Sequence, residues 1–199
     1  MGARFPSMAS KYSGPLRLND KEFGVRYGTG RTIFIDHLND LFAAVVPSEW
    51  IRRVLAHCND WPDNTYVFQT KNPARFAEFI DVFPRIIMLG TTIETDRHVP
   101  SVMNDSPPPR ERYEAMRAQW MRGYKRFITA EPLMEFTDGP GGLADWMIDI
   151  KPDFVNIGAD SKGSDLIEPT ADSVRGLINA LKAANIEVKR KTNLDRILS

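Results

Sequence analysis

The residues able to do acid–base or ligand chemistry sit in six short polar clusters, each following a run of apolar residues. Ile35 is followed by Asp36, His37, Asn39 and Asp40, and Gln69 by Thr70, Lys71 and Asn72. Leu89 precedes Gly90, Thr91, Thr92 and Glu94, while Thr129 precedes Ala130, Glu131 and Pro132. Ile157 leads into Gly158, Asp160, Ser161 and Lys162, and Val188 into Lys189, Arg190, Lys191 and Asn193. Carboxylates and a lysine gathered on one rim suit general acid–base work, with Glu94, Glu131, Asp160 and Lys71 as the candidate groups.

These candidates differ in quality. Pro132 restricts the residue before it, so the direction of the Glu131 carboxylate is expected to be fixed. Lys71, in Thr-Lys-Asn-Pro, places a cation at a helix start, where the helix dipole opposes it. Gly158 lets backbone approach a ligand closely. The plain alternative is that strand ends meet solvent and that Asp, Asn and Thr cap the next helix. His37 and His98 lack metal-ligand spacing and read as structural groups. Gly28-Thr-Gly30 precedes a strand instead of linking strand to helix, and Gly139-Pro-Gly-Gly142 lacks a Walker lysine, so neither is a phosphate loop. Arg117, Arg122, Lys125 and Arg126, beside Trp120 and Tyr124, form a basic cluster that suits either a solvated helix face or phosphate contacts.

Positioning these groups requires strands buried on both faces. Thr32–Ile35, Tyr66–Gln69, Ile86–Leu89, Arg126–Ala130, Phe154–Ile157 and Glu187–Lys189 are nearly continuous apolar runs of that kind. Amphipathic helices are expected between them: Glu49–Cys58 capped by Ser48, Pro73–Val82 capped by Asn72, and Arg110–Arg122 ending at Gly123. Gly142–Ile150 and Ala171–Ala184 follow, the latter capped by Thr170 and ended by Asn185. Strand and helix in alternation define an α/β fold with a mainly parallel sheet. Ser101–Pro109, with three successive prolines, is a stiff connection and a candidate lid. Residues 1–31 read as an irregular segment packing on a domain formed by residues 32–199, with a possible helix end within Arg4–Lys11.

With 199 residues, 42% hydrophobic and 26% charged, the chain is long enough to bury a core and is not of disordered composition. Its formal net charge is zero, which gives no global field toward nucleic acid or anionic membrane. A single cysteine, Cys58, forms neither an internal disulfide nor a metal clip, and is expected half-buried on a helix. No run approaches a membrane span and the opening has no apolar signal core, so the expected location is the cytoplasm.

Five segments in order resemble a known family. Gly28-Thr-Gly-Arg-Thr-Ile-Phe-Ile-Asp-His-Leu-Asn-Asp-Leu-Phe42 is similar to the second-strand segment of an uncharacterised, phage- and prokaryote-associated branch of the radical S-adenosylmethionine (SAM) superfamily. Phe68-Gln-Thr-Lys-Asn-Pro73, Leu89-Gly-Thr-Thr-Ile-Glu94, Phe127-Ile-Thr-Ala-Glu-Pro-Leu133 and Val155-Asn-Ile-Gly-Ala-Asp160 follow, so the resemblance covers roughly residues 28 to 195. It implies a partial, TIM-barrel-like (β/α) barrel of about six parallel strands that holds SAM across the strand ends. It would bring Thr92 and Glu94 to the ribose and methionine parts and Gly158 near the adenine, with Asp160 beside it. Asp36 and Asn39 would face the amino-acid end, and Glu131 would be the fifth-strand carboxylate.

The departure from that family is the absence of a CxxxCxxC loop, so an iron–sulfur cluster is not expected from this chain alone. The first strand and the cluster loop are expected to be missing, either supplied elsewhere or abandoned. The resulting expectation is a radical-SAM-like barrel protein binding SAM or a nucleotide at the rim, whose intact relatives modify nucleic acid or nucleotides. A cluster-free acid–base enzyme and a non-catalytic, phage-associated interaction module are the alternatives. A barrel short of one strand has open edges, which residues 1–31 or self-association would cover.

Overall fold

The computed structural model describes residues 16–36, 39–161, 163 and 166–199. Six strands form one sheet: β1 (Thr32–Ile35), β2 (Thr65–Thr70), β3 (Ile87–Thr92), β4 (Lys125–Ala130), β5 (Phe154–Ile157) and β6 (Glu187–Arg190). Their order in space is their order in sequence, and every neighbouring pair is parallel. Parallel connections take a right-handed crossover, so an unbroken sequential order puts every connection on the same face. The result is an α/β sheet that curls without closing, a partial (β/α) barrel with β1 and β6 at its ends.

The main helices are α1 (Ser48–Asn59), α2 (Pro109–Met116), α3 (Leu143–Ile150) and α4 (Ala171–Ala183). They bury Ile51 and Leu55, Tyr113 and Met116, Trp146 and Met147, and Val174 and Leu177, respectively. One apolar cluster joins these residues to Tyr66, Phe68, Leu89, Ile128, Val155 and Ile157 of the strands. Those strand residues share one side of the sheet, because paired residues in parallel strands face the same way. None of the described helices is long and apolar enough to cross a membrane.

The strand runs lie where the continuous apolar stretches place them, within one residue at the ends except for β3, which runs three residues past Leu89. Three helix expectations are corrected. Ser48 does not cap α1: it is the first helical residue, preceded by Pro47, with no side-chain cap bond. Pro73–Phe79 is a 3₁₀ helix, not an α-helix to Val82, and Asn72 makes no cap bond there. Three residues per turn align Pro73, Phe76 and Phe79, and all three are buried, Phe76 4.7 Å from Phe42 between ring centroids. The helix expected over Arg110–Arg122 breaks after Met116 and resumes as a 3₁₀ turn over Gln119–Gly123. Met116 and Met121 are both fully buried, yet five residues apart they would lie about 140° apart around a continuous helix. The break at Ala118, which adopts φ −54° and ψ 145°, lets both reach the core.

Both ends of α4 are as expected. Thr170 Oγ1 accepts from Ser173 N at 3.1 Å, and Asn185, at φ 59°, ends α4. Cys58 is fully buried on α1, more deeply than expected, and burial pushes its thiol pKa up to about 12. The segment before β1 packs on α1: Asp20 pairs with Arg53 at 2.8 Å, and the rings of Phe23 and Tyr27 contact His57. His37 and the stretch Arg4–Lys11 lie outside the described residues.

Candidate functional site

The sheet face turned away from the helices carries the chemistry, and the strand register sets it out in rows. Gln69, Gly90, Phe127, Phe154 and Glu187 are register partners across five strands. Gly90 has no alternative here: a Cβ would lie 2.2 Å from the Phe127 ring, which fills the space above it. Phe127 in turn stacks on Phe154 at 5.2 Å, and Lys189 Nζ lies 3.5 Å from the centre of the Phe154 ring. An aromatic floor therefore lies below the rim.

Above this floor runs a polar row, Thr92–Thr129–Asn156–Lys189 in register, joined by Gln69. Gln69 Nε2 donates to Thr92 Oγ1 at 3.0 Å, Thr129 Oγ1 donates to Gln69 Oε1 at 3.3 Å, and Asn156 Nδ2 donates to Thr129 Oγ1 at 3.3 Å. The network spans four strands and keeps these side chains at fixed spacing.

Two residues further along each strand lies an ionic row, Lys71, Glu94, Glu131, Gly158 and Lys191. Backbone bonds zip this edge together: Ile93 N to Thr129 O, Gly158 N to Ala130 O, Leu133 N to Gly158 O and Lys191 N to Ile157 O. Lys71 pairs with one oxygen of Glu94. The other accepts from Arg112 of α2 at 2.9 Å. Arg112 is fully buried, and also donates to the carbonyls of Pro107 at 2.6 Å and Thr92 at 3.1 Å and to Ser106 Oγ at 3.1 Å. It thus ties the proline-rich connection to the end of β3. Burial lowers its pKa to about 10, against the Asp40 charge that raises it.

Lys71 is strongly perturbed. Burial of its ammonium and then the Arg112 charge lower its pKa to about 7, while Asp40 pushes the other way. Its side chain is still 39% exposed, so solvent and the contact with Glu94 both retain part of the charged form. Asp40 is anchored on backbone: Oδ2 accepts from Lys71 N at 2.8 Å and Oδ1 from Phe42 N at 3.1 Å.

At the other side of the row Glu131 pairs with Lys191 at 2.5 Å. Gly158 makes that contact possible, since a Cβ there would sit 3.0 Å from the Glu131 carboxyl carbon. The space above Gly158 is therefore taken by the Glu131 side chain. The Glu131–Pro132 peptide bond is cis.

The remaining candidates sit apart from this row. Asp36, at φ 57°, accepts from Asn39 Nδ2 at 3.0 Å, so the two hold one another in the turn after β1. Asp160 offers its backbone: its N–H donates to Glu168 at 3.1 Å and its carbonyl accepts from Arg196 at 2.9 Å. Arg196 also pairs with Glu168, whose pKa it lowers. The expected catalytic pair takes separate partners, Lys71 with Glu94 and Glu131 with Lys191.

Sequence reasoning missed Arg112, Gln69 and Asn156 as members of this site, and it placed Lys191 on the rim without giving it a role. Asn193, from the same cluster, clamps Ala159 by accepting from its N–H at 3.3 Å and donating to its carbonyl at 2.8 Å. The available signal was a polar residue inside an apolar strand run at matching register, as Gln69 and Asn156 are.

A one-faced, sequential parallel sheet with its polar groups at the strand ends is the architecture of radical-SAM-like cores. In agreement, the chain is similar to a radical SAM methyltransferase from Sphaerobacter thermophilus, at a TM-score of 0.52 and 14% identity, covering 90% of this chain and 55% of that one. The likeness establishes the fold, and the chain spans about half the length of that enzyme. Residues 6–186 match the family described as a protein of unknown function, DUF5131, and the chain belongs to that family. No curated protein matches it.

Proposed function

We propose that this chain binds SAM, or a nucleotide sharing its adenosine part, on the helix-free face of the sheet at the strand C-terminal rim. The observation that carries the reading is the ionic row Lys71–Glu94–Glu131–Lys191 set directly above the Gln69–Thr92–Thr129–Asn156 network. An α-amino carboxylate needs a cation and a carboxylate side by side, and the row offers both signs at each flank. The lysines are 39% and 55% exposed, free enough to exchange a protein carboxylate for a ligand one. A ribose diol needs closely spaced donors and acceptors, which the polar network provides. Thr92, Glu94 and Glu131 would hold such a ligand, and Asp36, Asn39 and Asp160 would border it. SAM, when bound, supplies an electrophilic sulfonium.

An iron–sulfur cluster does not fit these residues. It takes three or four thiolates, and the one cysteine of the sequence is buried among helix-side core residues with its thiol held protonated. No radical step is assigned to this chain. Titration calorimetry with SAM, its demethylated product and ATP tests the binding reading. Saturable heat with SAM, weakened at least tenfold by Glu131→Gln, is expected. Absence of heat at millimolar concentrations of all three ligands would end it.

A second reading, acid–base catalysis, is favoured by one observation: the lowered pKa of Lys71 beside the Glu94 carboxylate. On that reading Lys71 accepts a proton from a substrate C–H or O–H, Glu94 stabilises the ammonium formed, and Glu131 acts from the far side of the row. A hydrolase or isomerase activity unaffected by Lys71→Met would exclude it.

A further inference from the structure

A cavity of about 320 Å³ lies near the start of β4, at the end of that strand opposite Glu131. It falls at the lower bound of the roughly 300–1,000 Å³ that small-molecule sites occupy. Its walls are Arg117, Arg122, Arg126, Asp149, Ile150 and Lys151, four cations against one carboxylate.

The charges do not cancel among the described residues. Asp149 is already engaged, by Arg117 Nε at 2.8 Å and by the Tyr113 hydroxyl, which donates at 2.6 Å. Arg126 is 8% exposed, and among the described residues its guanidinium donates only to the carbonyls of Met116 at 3.3 Å and Lys151 at 3.4 Å. Those carbonyls lie at the C-terminal ends of α2 and α3, where partial negative charge helps a cation but does not neutralise it. The nearby Asp153 carboxylate accepts from the Arg126 backbone N–H at 2.8 Å and offsets part of the guanidinium charge without pairing with it. Burial lowers the Arg126 pKa and the Arg122 charge adds to this, with Asp153 opposing. Arg122 and Lys151 are exposed, and neither side chain makes a hydrogen bond or ion pair among the described residues.

A buried guanidinium with no carboxylate paired to it among the described residues and only a partial offset from Asp153, flanked by two further cations unpaired among those residues, is costly unless an anion completes it. The shape of the guanidinium and the open pocket favour a tetrahedral oxyanion with several acceptor oxygens. We propose that this cavity is a binding site for a phosphate group, separate from the rim, with Arg126 as its fixed donor and Arg122 and Lys151 closing over it. The group is carried either by a free phosphate compound or by the backbone of a nucleic acid.

The two sources share one chemistry and separate in one experiment on the full chain at about 50 mM salt, where phosphate contacts are strong. Inorganic phosphate is titrated calorimetrically, and a labelled single-stranded oligonucleotide by fluorescence anisotropy. The Arg122→Ala/Lys151→Ala double variant removes two unpaired surface cations, and circular dichroism confirms that its fold is intact. It is expected to weaken binding of at least one probe tenfold or more. The control Lys182→Ala/Arg190→Ala, which removes cations lining a different cavity, is expected to stay within twofold of wild type. Saturable phosphate binding lost in the double variant assigns the site to free phosphate. Oligonucleotide binding whose salt slope falls by about 1–2 in that variant assigns it to a nucleic-acid backbone. Failure of both probes to bind, equal binding by the double variant and wild type, or equal losses in variant and control, overturns the proposal.

Discussion

Replacing Arg112 by methionine removes one member of a buried ion pair while leaving its volume largely filled. Arg112 is fully buried, and the Glu94 side chain it pairs with at 2.9 Å is 8% exposed. Breaking such a pair leaves an uncompensated buried charge, at a cost of about 3–5 kcal/mol. Lys71 still contacts Glu94 and is partly exposed, so the lower end of that range applies, about 3 kcal/mol. The carbonyls of Pro107 and Thr92 also lose a donor, which keeps the cost from falling further. With an unfolding entropy of about 0.4 kcal/mol/K for 199 residues, the melting temperature should fall by about 7 °C. Urea titration and thermal melts followed by circular dichroism measure both quantities. In the Arg112→Met/Glu94→Leu double variant the stranded carboxylate is gone, and stability should recover by about 1–2 kcal/mol relative to the single variant. A single variant that melts within about 2 °C of wild type, or a double variant less stable than the single, would refute the account of Glu94 as a charge held in place from beneath by Arg112.

Gly90→Ala should cost about 1–3 kcal/mol by overpacking, since its methyl would collide with the Phe127 ring, and Phe127→Leu in the same chain should restore part of the loss. Lys71 should be acylated with a half-maximal rate near pH 7, whereas solvated lysines require pH above 10, as read by competitive labelling and mass spectrometry. The same lowered pKa sets a sign for stability. Between pH 7 and 10.5 the unfolded chain keeps the Lys71 proton while the folded one releases it, so wild type should gain stability relative to Lys71→Met as pH rises through that window. Cys58, with its thiol pushed up to about 12 and no exposed surface, should react with a disulfide reagent only as fast as the chain unfolds.

The strands were legible because burial on two faces writes continuous apolar runs such as Tyr66–Phe68 and Phe127–Ile128, and their polar successors marked the rim. The order of the strands in the sheet was not legible from the period, since doubly wound sheets share it. Helix ends failed where packing overruled periodicity: Met116 and Met121 both needed the core, and Pro73, Phe76 and Phe79 suit a three-residue turn. At the site, Lys71, Glu94, Thr92, Glu131 and Gly158 fell on one edge as the rim argument requires. The pairing did not show: Arg112 reaches the row from a helix, and nothing in the rim clusters says that Glu131 takes Lys191 as its partner. Gly158 reads in the sequence as room for a ligand, and in the structure the Glu131 side chain lies there.

The sequential strand order has a consequence for how the chain reaches this state. Strands that touch are also successive, and their starts are separated by 22 to 38 residues. Closing the longest of these loops costs only about 0.5 kcal/mol more than closing the shortest. No step must wait for distant parts of the polypeptide to meet, so assembly can begin wherever apolar contacts are densest and spread outward one unit at a time. The phenylalanines around Phe42, between β2 and the 3₁₀ helix after it, are the natural starting point. The ionic row would then be completed last on the Lys191 side, after the final strand has docked.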